Sequence, residues 1–297
     1  DGTPEAVVCK RSAEVDPAGL RHQAKALRWM KDHTEFPVPD VYALVLPEDG
    51  DAGTYLLLER LAGRNLGEAR LTSEAMDAVE RQMAEHVGAL HAIRGDTYGS
   101  AADGDRSDTW LEWFGPRFES NYREASRCLS SEARAATEQL LGELPSWLPE
   151  ESAPTVVHGD LWHTNVMVDD SDPLRPRITG YIDGGALLAD TEYELSFMLA
   201  FGMVGERFLR YYSERQTIRP GFGRRCLVYW LDTMLLHVRL FGTRYVDRTE
   251  RIAREINSRA PIIRAVSEPL SAEPLPVLVV DPVMVAKSGD RLLQDDA

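Results

Sequence analysis

The feature that most constrains the fold is an alternation of apolar and polar segments between positions 155 and 183. Short apolar runs of the kind that form strands lie at 155–157, 166–168 and 178–182. The first gap holds the sequence HGDLWHTN, and the second holds the turn-forming sequence DDSDPLRP. This order predicts strand, polar loop, strand, turn and strand, with Asp183 directly after the last strand.

Three polar residues in this segment have the types and the spacing that phosphoryl transfer needs. Asp160 and Asn165 are five positions apart in the loop, and Asp183 lies eighteen positions after Asn165. A carboxylate can accept the proton of an attacking hydroxyl, while an amide oxygen and a second carboxylate can bind Mg²⁺. Each residue alone is compatible with a turn or a cap. The ordered set predicts a phosphotransferase site, because protein kinases carry the same Asp-x4-Asn spacing before a metal-binding Asp.

The motifs HGDLWHTN and IDGG resemble those of the aminoglycoside-phosphotransferase and choline-kinase-like superfamily, which has a protein-kinase-like two-lobed fold. A finer resemblance is to the fructosamine (ketosamine) kinase family. It is carried by HGDLW at 158–162, ADTEYELSFM at 189–198 and YWLDTMLLHVRLFG at 229–242. The resemblance covers roughly residues 5–260. Antibiotic kinases share the same machinery, so an aminoglycoside-type phosphotransferase is an alternative.

The resemblance implies an α+β fold with a small mixed α/β N-lobe and a larger, mainly helical C-lobe. We expect an N-terminal nucleotide-binding lobe over 1–61, a C-terminal catalytic and acceptor lobe over 62–273, and an appended tail over 274–297. The tail resembles a short stretch of hydroxymethylpyrimidine-phosphate kinases. Because that fold needs many more residues, we expect the tail to contribute no second active site.

Local patterns place further strands and helices around this segment. Strand-like runs lie at 5–10, 41–46 and 54–58, and helices are expected at 110–127, 131–142, 193–215 and 224–241. Asp16 and Pro17 are typical of a helix start. A further helix is expected from Ser73, which is a candidate N-cap.

The resemblance also implies roles for the polar residues of the loop. Asp160 resembles the catalytic base, and Asn165 and Asp183 resemble the Mg²⁺ ligands. His158 resembles the loop histidine that braces the catalytic aspartate, and we expect it to be buried.

Other residues near the motif match the family pattern less directly. Asp190 and Glu194 match an acidic pair after the metal-binding Asp, and we expect them to hold loops in place. Trp162 and His163 lie beside the expected base and either line the acceptor site or pack on the loop. His237, on an apolar helix, is expected to be a core histidine.

The N-terminal part supplies the expected ATP-binding residues. Lys10, at the end of VVCK, resembles the strand lysine that holds the α- and β-phosphates of ATP. The family pairs this lysine with a helix glutamate, and the position that matches here is Gln23. The segment YLLLERLAG resembles the inter-lobe hinge, where the backbone from Glu59 to Leu61 is expected to bind adenine.

Two departures from the family pattern leave a third hypothesis open. Only nine residues precede Lys10, so we expect the N-lobe to lack the hairpin that covers the phosphates. Gln23 can bind the lysine but supplies no charge. Both departures favour a nucleotide-binding pseudokinase, whereas the presence of all three motif residues argues against a decayed site.

The charge of the chain limits its partners. Lys and Arg number 33 against 48 Asp and Glu, which gives a net charge of −15. Such a chain is a poor candidate for binding nucleic acid, because phosphate backbones need a basic surface. A neutral or cationic small molecule with a hydroxyl acceptor is compatible with this charge, which suits a polycationic antibiotic in particular.

Cysteine content and hydropathy favour a cytoplasmic protein. The three cysteines Cys9, Cys128 and Cys226 are far apart and include no CxxC pair, so a disulfide framework or zinc site is not expected. The longest uncharged apolar stretch, Leu195 to Gly205, has eleven residues, fewer than the roughly 20 that span a bilayer. We therefore expect no membrane partner, and the sequence leaves the oligomeric state open.

Overall fold

The structure is a computed structural model that describes residues 6–12, 18–46, 53–104, 106–148 and 152–267, the last eight as backbone only. Its strands are β1 (Val7–Ser12), β2 (Val41–Val45), β3 (Thr54–Glu59), β4 (Arg64–Asn65), β5 (Tyr98–Ser100), β6 (Arg106–Ser107), β7 (Thr155–Val157), β8 (Val166–Asp169), β9 (Arg177–Tyr181) and β10 (Leu187–Ala189). Its α-helices are α1 (Ala18–His33), α2 (Ser73–Leu90), α3 (Trp110–Ala125), α4 (Ser131–Gly142), α5 (Leu144–Trp147), α6 (Thr191–Ala200), α7 (Glu206–Ser213), α8 (Phe222–Phe241) and α9 (Val246–Ser267).

The chain forms two compact units, each made of two chain segments. Unit 1 comprises Asp1–Asp108 and Ala153–Thr217, and unit 2 comprises Thr109–Ser152 and Ile218–Ala297. The expected boundaries at 61/62 and 273/274 stay predictions, and the tail lies outside the described residues.

Unit 1 begins with a three-stranded antiparallel sheet in the order β1-β3-β2. Alternate residues of β3 are buried, as the strand period of two requires, and Lys10 of β1 pairs with Leu56 of β3. Helix α1 contacts β2 and β3 and buries Ala24 and Leu27. This is the small mixed α/β part that the sequence predicts.

Two further sheets of unit 1 carry the predicted polar loop. One has the order β6-β5-β10-β7 and the other the order β4-β8-β9. The loop 158–165 joins the end of β7 in one sheet to the start of β8 in the other. Helix α2 contacts α7, β7 and β9, and its buried apolar residues include Val79, Met83 and Val87.

Unit 2 is helical throughout its described part. Contacts join α3 to α8, α4 to α9 and α8 to α9. Aromatic residues fill the α3–α8 interface, where Trp110 Nε1 donates to the Tyr229 hydroxyl at 3.0 Å and Phe118 is fully buried. A Thr109–Glu112 capping box starts α3.

Some element boundaries differ from the expectations. The helix expected at 193–215 is two helices, because Gly202 has a φ of 63° and Gly205 is extended, which ends α6 and starts α7 anew. Thr72 rather than Ser73 caps α2, since its hydroxyl accepts from the Ala75 N–H at 3.2 Å. The expected start at Asp16 and Pro17 lies outside the described residues.

No helix in the described part of the chain combines the length and the apolar character that a membrane crossing needs.

Candidate active site

The loop between β7 and β8 holds Asp160 and Asn165 against each other. The Asn165 side-chain amide Nδ2 donates to the Asp160 backbone carbonyl and to its carboxylate Oδ2, both at 2.9 Å. The turn into the loop depends on Gly159, whose φ of 87° is unfavourable for residues with a Cβ. The spacing of five thus brings both residues together, with the Asn165 amide fixing the Asp160 side chain.

The environment of Asp160 suits a proton acceptor. Its pKa is raised to about 6: burial raises it most, the Asn165 hydrogen bond lowers it, and the charges of Asp183 and Glu194 also raise it. A carboxylate with a raised pKa has a stronger driving force for accepting a proton than an exposed aspartate has.

Asp183 follows β9 in a strained backbone conformation. Its φ is 65° and that of Ala186 is 46°, two left-handed non-glycine residues within one short turn. Such strain persists where surrounding contacts over-determine it, commonly at functional sites.

Two side chains from the N-terminal part contact the Asp183 carboxylate at Oδ1. The Lys10 ammonium forms an ion pair with this oxygen, and the Gln23 amide Nε2 donates to it at 2.6 Å. The structure therefore brings Lys10 to the predicted site. It gives Gln23 a different partner from the lysine that the sequence predicts, because the carboxylate lies within reach of both donors.

His158, the first residue of the loop, is fully buried, as predicted for a bracing residue. Its Nδ1 accepts from the Asp160 N–H at 3.3 Å, and its backbone carbonyl accepts from the Gly185 N–H at 2.8 Å. Burial lowers the pKa of His158, while the charges of Glu194 and Asp183 oppose that effect. His158 thus links the segment of the expected base to the segment that follows Asp183.

The buried carboxylate of Glu194 on α6 binds the backbone of the same loop. Glu194 Oε1 accepts from the Gly159 N–H at 2.6 Å, and Oε2 lies 2.9 Å from Nε2 of His91. Nδ1 of His91 lies 2.7 Å from the Tyr212 hydroxyl. Burial alone would raise the pKa of Glu194, but the hydrogen bond and charge of His91 hold it below its ordinary value.

The sequence analysis predicted only one residue of this buried pair, Glu194. The family pattern predicts that Glu194 holds a loop in place, and in the structure its carboxylate accepts a hydrogen bond from the Gly159 N–H of the loop. His91 was not predicted, because the end of α2 carries no motif and its partner is 103 residues away. Asp190 caps α6 by accepting from the Glu192 N–H at 3.0 Å.

The remaining predicted residues lie at or just after the end of β3 and in the loop 158–165. Glu59 ends β3, and its carboxylate accepts from the Asp40 N–H at 3.0 Å. Leu61 follows as a half-buried residue. Trp162 and His163 are half-buried, with ring centroids 5.3 Å apart.

His237 lies on α8 of unit 2. It is half-buried rather than fully in the core, and its Nδ1 lies 2.7 Å from the Thr233 carbonyl. Its ring packs on Phe241 and Tyr245.

A cleft of about 530 Å³ opens between β1, the start of α1 and the turn after Asp183. Its lining includes Lys10, Gln23, Asp183 and the consecutive Gly184 and Gly185. A cationic side chain, a carboxylate and a glycine turn along one cleft are the groups that a polyphosphate and its cation require.

The side-chain oxygens of Asp183, which lines this cleft, and of Asn165 in the preceding loop fit Mg²⁺. Both described contacts of the Asp183 carboxylate use Oδ1, and both described hydrogen bonds of the Asn165 side chain use Nδ2. Within the described residues this leaves Asp183 Oδ2 and Asn165 Oδ1, two hard oxygens of the kind that Mg²⁺ prefers. The described residues hold no cluster of three or more His, Cys, Asp or Glu side chains that could bind a metal unaided.

Fold and site together define a protein-kinase-like phosphotransferase. The small antiparallel sheet supplies Lys10 from β1. The loop between β7 and β8 supplies Asp160 and Asn165, and the turn after β9 supplies Asp183. The model of the phosphotransferase enzyme (APH) family matches residues 1–227, and the chain belongs to that family. The predicted enzyme class is thereby confirmed.

Known proteins of two kinds resemble the chain. It is 26% identical to a probable ketoamine kinase of Enterococcus faecium, over 81% of this chain and 80% of the relative. It is 31% identical to an aminoglycoside 3′-phosphotransferase of Streptomyces fradiae, over 70% of this chain and 78% of that protein.

A solved structure shares the fold. The putative fructosamine-3-kinase of Haemophilus somnus superposes with a TM-score of 0.67 at 20% identity, covering 84% of this chain and 83% of that one. The predicted α+β, protein-kinase-like fold is confirmed.

Proposed function

We propose that the chain is an ATP-dependent small-molecule kinase that phosphorylates a hydroxyl of a fructosamine (ketosamine). The observation that carries the proposal is the 2.9 Å hydrogen bond from the Asn165 amide to the Asp160 carboxylate, together with the ion pair between Lys10 and the Asp183 carboxylate. The similarity to a ketoamine kinase supports the acceptor class.

In the proposed reaction Asp160 is the base. The acceptor hydroxyl oxygen attacks the γ-phosphorus of ATP, and a new P–O bond forms as the bond to the β-phosphate oxygen breaks. The hydroxyl proton passes to the Asp160 carboxylate, and ADP leaves with the electron pair of the broken bond. Asn165 keeps the carboxylate oriented, since its amide donates to Oδ2.

The other residues of unit 1 bind and position the nucleotide. We assign Lys10 to the α- and β-phosphates and the backbone from Glu59 to Leu61 to adenine. The Lys10 ammonium also forms an ion pair with the Asp183 carboxylate. Asn165 and Asp183 would hold Mg²⁺, which supplies charge neutralisation for the phosphates when bound.

An aminoglycoside is the second candidate acceptor. Two observations favour it: the net charge of −15, which attracts a polycation, and the 31% identity to an aminoglycoside 3′-phosphotransferase. Both candidates require the same catalytic residues, so the difference lies in the acceptor pocket alone.

We place the reaction in the cytoplasm, where ATP is abundant. In the described residues Cys9, Cys128 and Cys226 form no disulfide, which is compatible with a reducing compartment.

The decisive experiment is an ADP-release assay with MgATP and a panel of acceptors. The panel contains fructosyl-lysine, free fructose, kanamycin and neomycin, and mass spectrometry identifies the phosphorylated product. Selective turnover of fructosyl-lysine supports the proposal, and turnover of kanamycin or neomycin alone replaces it with the antibiotic kinase. Nucleotide binding without transfer to any acceptor would contradict both and identify a pseudokinase.

A further inference from the structure

Helix α1 carries residues that contact two different parts of unit 1. Gln23 donates to Asp183, whereas His22 and Lys25 contact Asp103 in the segment between β5 and β6. Lys25 Nζ lies 2.6 Å from Asp103 Oδ2, and His22 Nδ1 lies 3.2 Å from Oδ1.

The segment that holds Asp103 is itself fixed to the turn after Asp183. Strand β5 pairs with β10, and the Ala101 N–H donates to the Ala186 carbonyl at 2.8 Å. The Asp103 N–H donates to the Ser100 hydroxyl at 3.1 Å, which holds Asp103 close to the end of β5.

These contacts form a closed ring around the site. The backbone connects Asp183 to Ala186, whose carbonyl accepts from the Ala101 N–H, and the chain continues from there to Asp103. The Asp103 carboxylate contacts His22 and Lys25 of α1, and Gln23 of the same helix donates to Asp183, which closes the ring. The direct contact of Gln23 with Asp183 therefore depends on where α1 lies, and Asp103 is the residue of the ring that holds two side chains of α1.

We propose that Asp103 is a positioning residue: its carboxylate holds α1 at the distance from which Gln23 reaches Asp183. The proposal rests on the proposed kinase function only for its effect on nucleotide affinity. Hydrogen bonding by Lys25 lowers the pKa of Asp103, so the carboxylate is charged at neutral pH.

The size of the effect follows from the exposure of the pair. The Lys25 side chain is 58% exposed and that of Asp103 34%, and such pairs are weak. Asp103→Ala is expected to weaken binding of the Mg²⁺ complex of AMP-PNP about two- to five-fold, which corresponds to about 0.4–1 kcal/mol. Backbone amides of α1 should exchange faster in the ligand-free variant.

The matched control is Glu119→Ala, which removes an exposed ion pair with Arg123 at 2.8 Å in unit 2. This variant should keep wild-type affinity and wild-type exchange in α1. The melting temperatures of both variants should be similar, so that a loss of affinity in Asp103→Ala reports position rather than stability.

Two further comparisons separate positioning from a general loss of charge. In a Gln23→Ala background, Asp103→Ala should reduce affinity no further, because the contact through which it acts is gone. The charge-reversed pair Asp103→Lys with Lys25→Glu should recover affinity relative to Asp103→Lys alone.

Unchanged exchange in α1 of Asp103→Ala would overturn the proposal, and so would an additive loss of affinity in the Gln23→Ala background. A chain that binds no nucleotide would refute the proposed function, yet exchange in the ligand-free protein would still decide the role of Asp103.

Discussion

Nε2 of Gln23 donates a 2.6 Å hydrogen bond to Oδ1 of Asp183. A glutamate at position 23 would bring a second carboxylate to this distance and repel Asp183. The neutral amide avoids that repulsion, and Lys10 remains paired with Asp183. The absence of a charged residue at position 23 is therefore compatible with a working site and is not by itself a sign of decay.

Replacing the proposed base tests the reaction directly. Asp160→Asn keeps the shape of the side chain and the oxygen that accepts from Asn165, but the amide cannot accept the hydroxyl proton. We expect turnover to fall about 10²–10⁴-fold, the usual contribution of a general base. Calorimetry should give an unchanged affinity for the nucleotide.

The melting temperature of Asp160→Asn should not fall. Burial raises the pKa of Asp160 to about 6, so the charged form costs stability at neutral pH, and the neutral amide removes that cost. Asp172→Asn, on the exposed turn between β8 and β9, is the control and should retain full turnover. Wild-type turnover in Asp160→Asn would exclude Asp160 as the base.

The Mg²⁺ role of Asp183 is testable with Asp183→Asn. Asparagine is preferable to alanine here because φ is 65°, a conformation that Asn tolerates better. We expect ADP affinity in the presence of Mg²⁺ to fall about tenfold or more, since one ligand charge is lost.

The same Asp183→Asn variant without Mg²⁺ is its own control. There the affinity for ADP should be equal to that of the wild type or higher, because a negative charge facing the phosphates has been removed. An equal response of both proteins to Mg²⁺ would rule out Asp183 as a ligand.

The sequence predicted the parts of the site that lie close together in the chain. Asp160, Asn165 and Asp183 belong to one segment of strand, loop, strand, turn and strand, so their spacing alone indicated a shared site. Their assigned roles stay predictions until the variants above are measured.

Contacts between distant segments could not be predicted. His91 follows the last residue of α2 and carries no local signal, so only its 2.9 Å distance from Glu194 of α6 identifies it as part of the loop support. The hydrogen bond of Gln23 to Asp183 rather than to Lys10 likewise could not be predicted, because it depends on the distance between residues that are 160 positions apart in the chain. Strand β4, two residues long, carries no periodicity to detect.

The two glycines after Asp183 provide a matched pair of variants. A Cβ on Gly184 would lie 2.8 Å from Cδ2 and 2.9 Å from Nε2 of the buried His158 ring, whereas the nearest atoms to a Cβ on Gly185 are 3.8 Å away. Gly184→Ala must therefore displace His158. We expect the free energy of unfolding to fall by about 1–3 kcal/mol, and we expect turnover to fall as well.

Gly185→Ala should leave stability close to wild type, because a Cβ at this position meets only ordinary van der Waals contacts. Chemical denaturation and the ADP-release assay measure the two variants side by side. Equal behaviour of the two variants would mean that the position of His158 is not critical for the loop.

A buried carboxyl in unit 2 predicts how stability depends on pH. Asp232 of α8 is 3% exposed, and Asn121 of α3 donates to its Oδ1 at 2.8 Å. Burial raises its pKa from 3.8 to about 6, against the opposing effects of Asn121 and the charges of Arg117 and Arg239. The folded protein therefore keeps a proton on Asp232 that the unfolded chain loses at lower pH.

The contribution of Asp232 to the free energy of unfolding should accordingly fall as the pH rises from about 4 to about 6, because the unfolded state binds fewer protons at this residue in that window. Asp232→Asn removes the ionisation and keeps an oxygen that accepts from Asn121. We expect this variant to be more stable than the wild type at pH 7, by up to about 3 kcal/mol, and to match it at pH 4. Urea denaturation at several pH values measures the difference, with exposed Asp172→Asn as the control that should show none. A constant difference between Asp232→Asn and the wild type across this pH range would show that the charge on Asp232 does not limit the stability of unit 2.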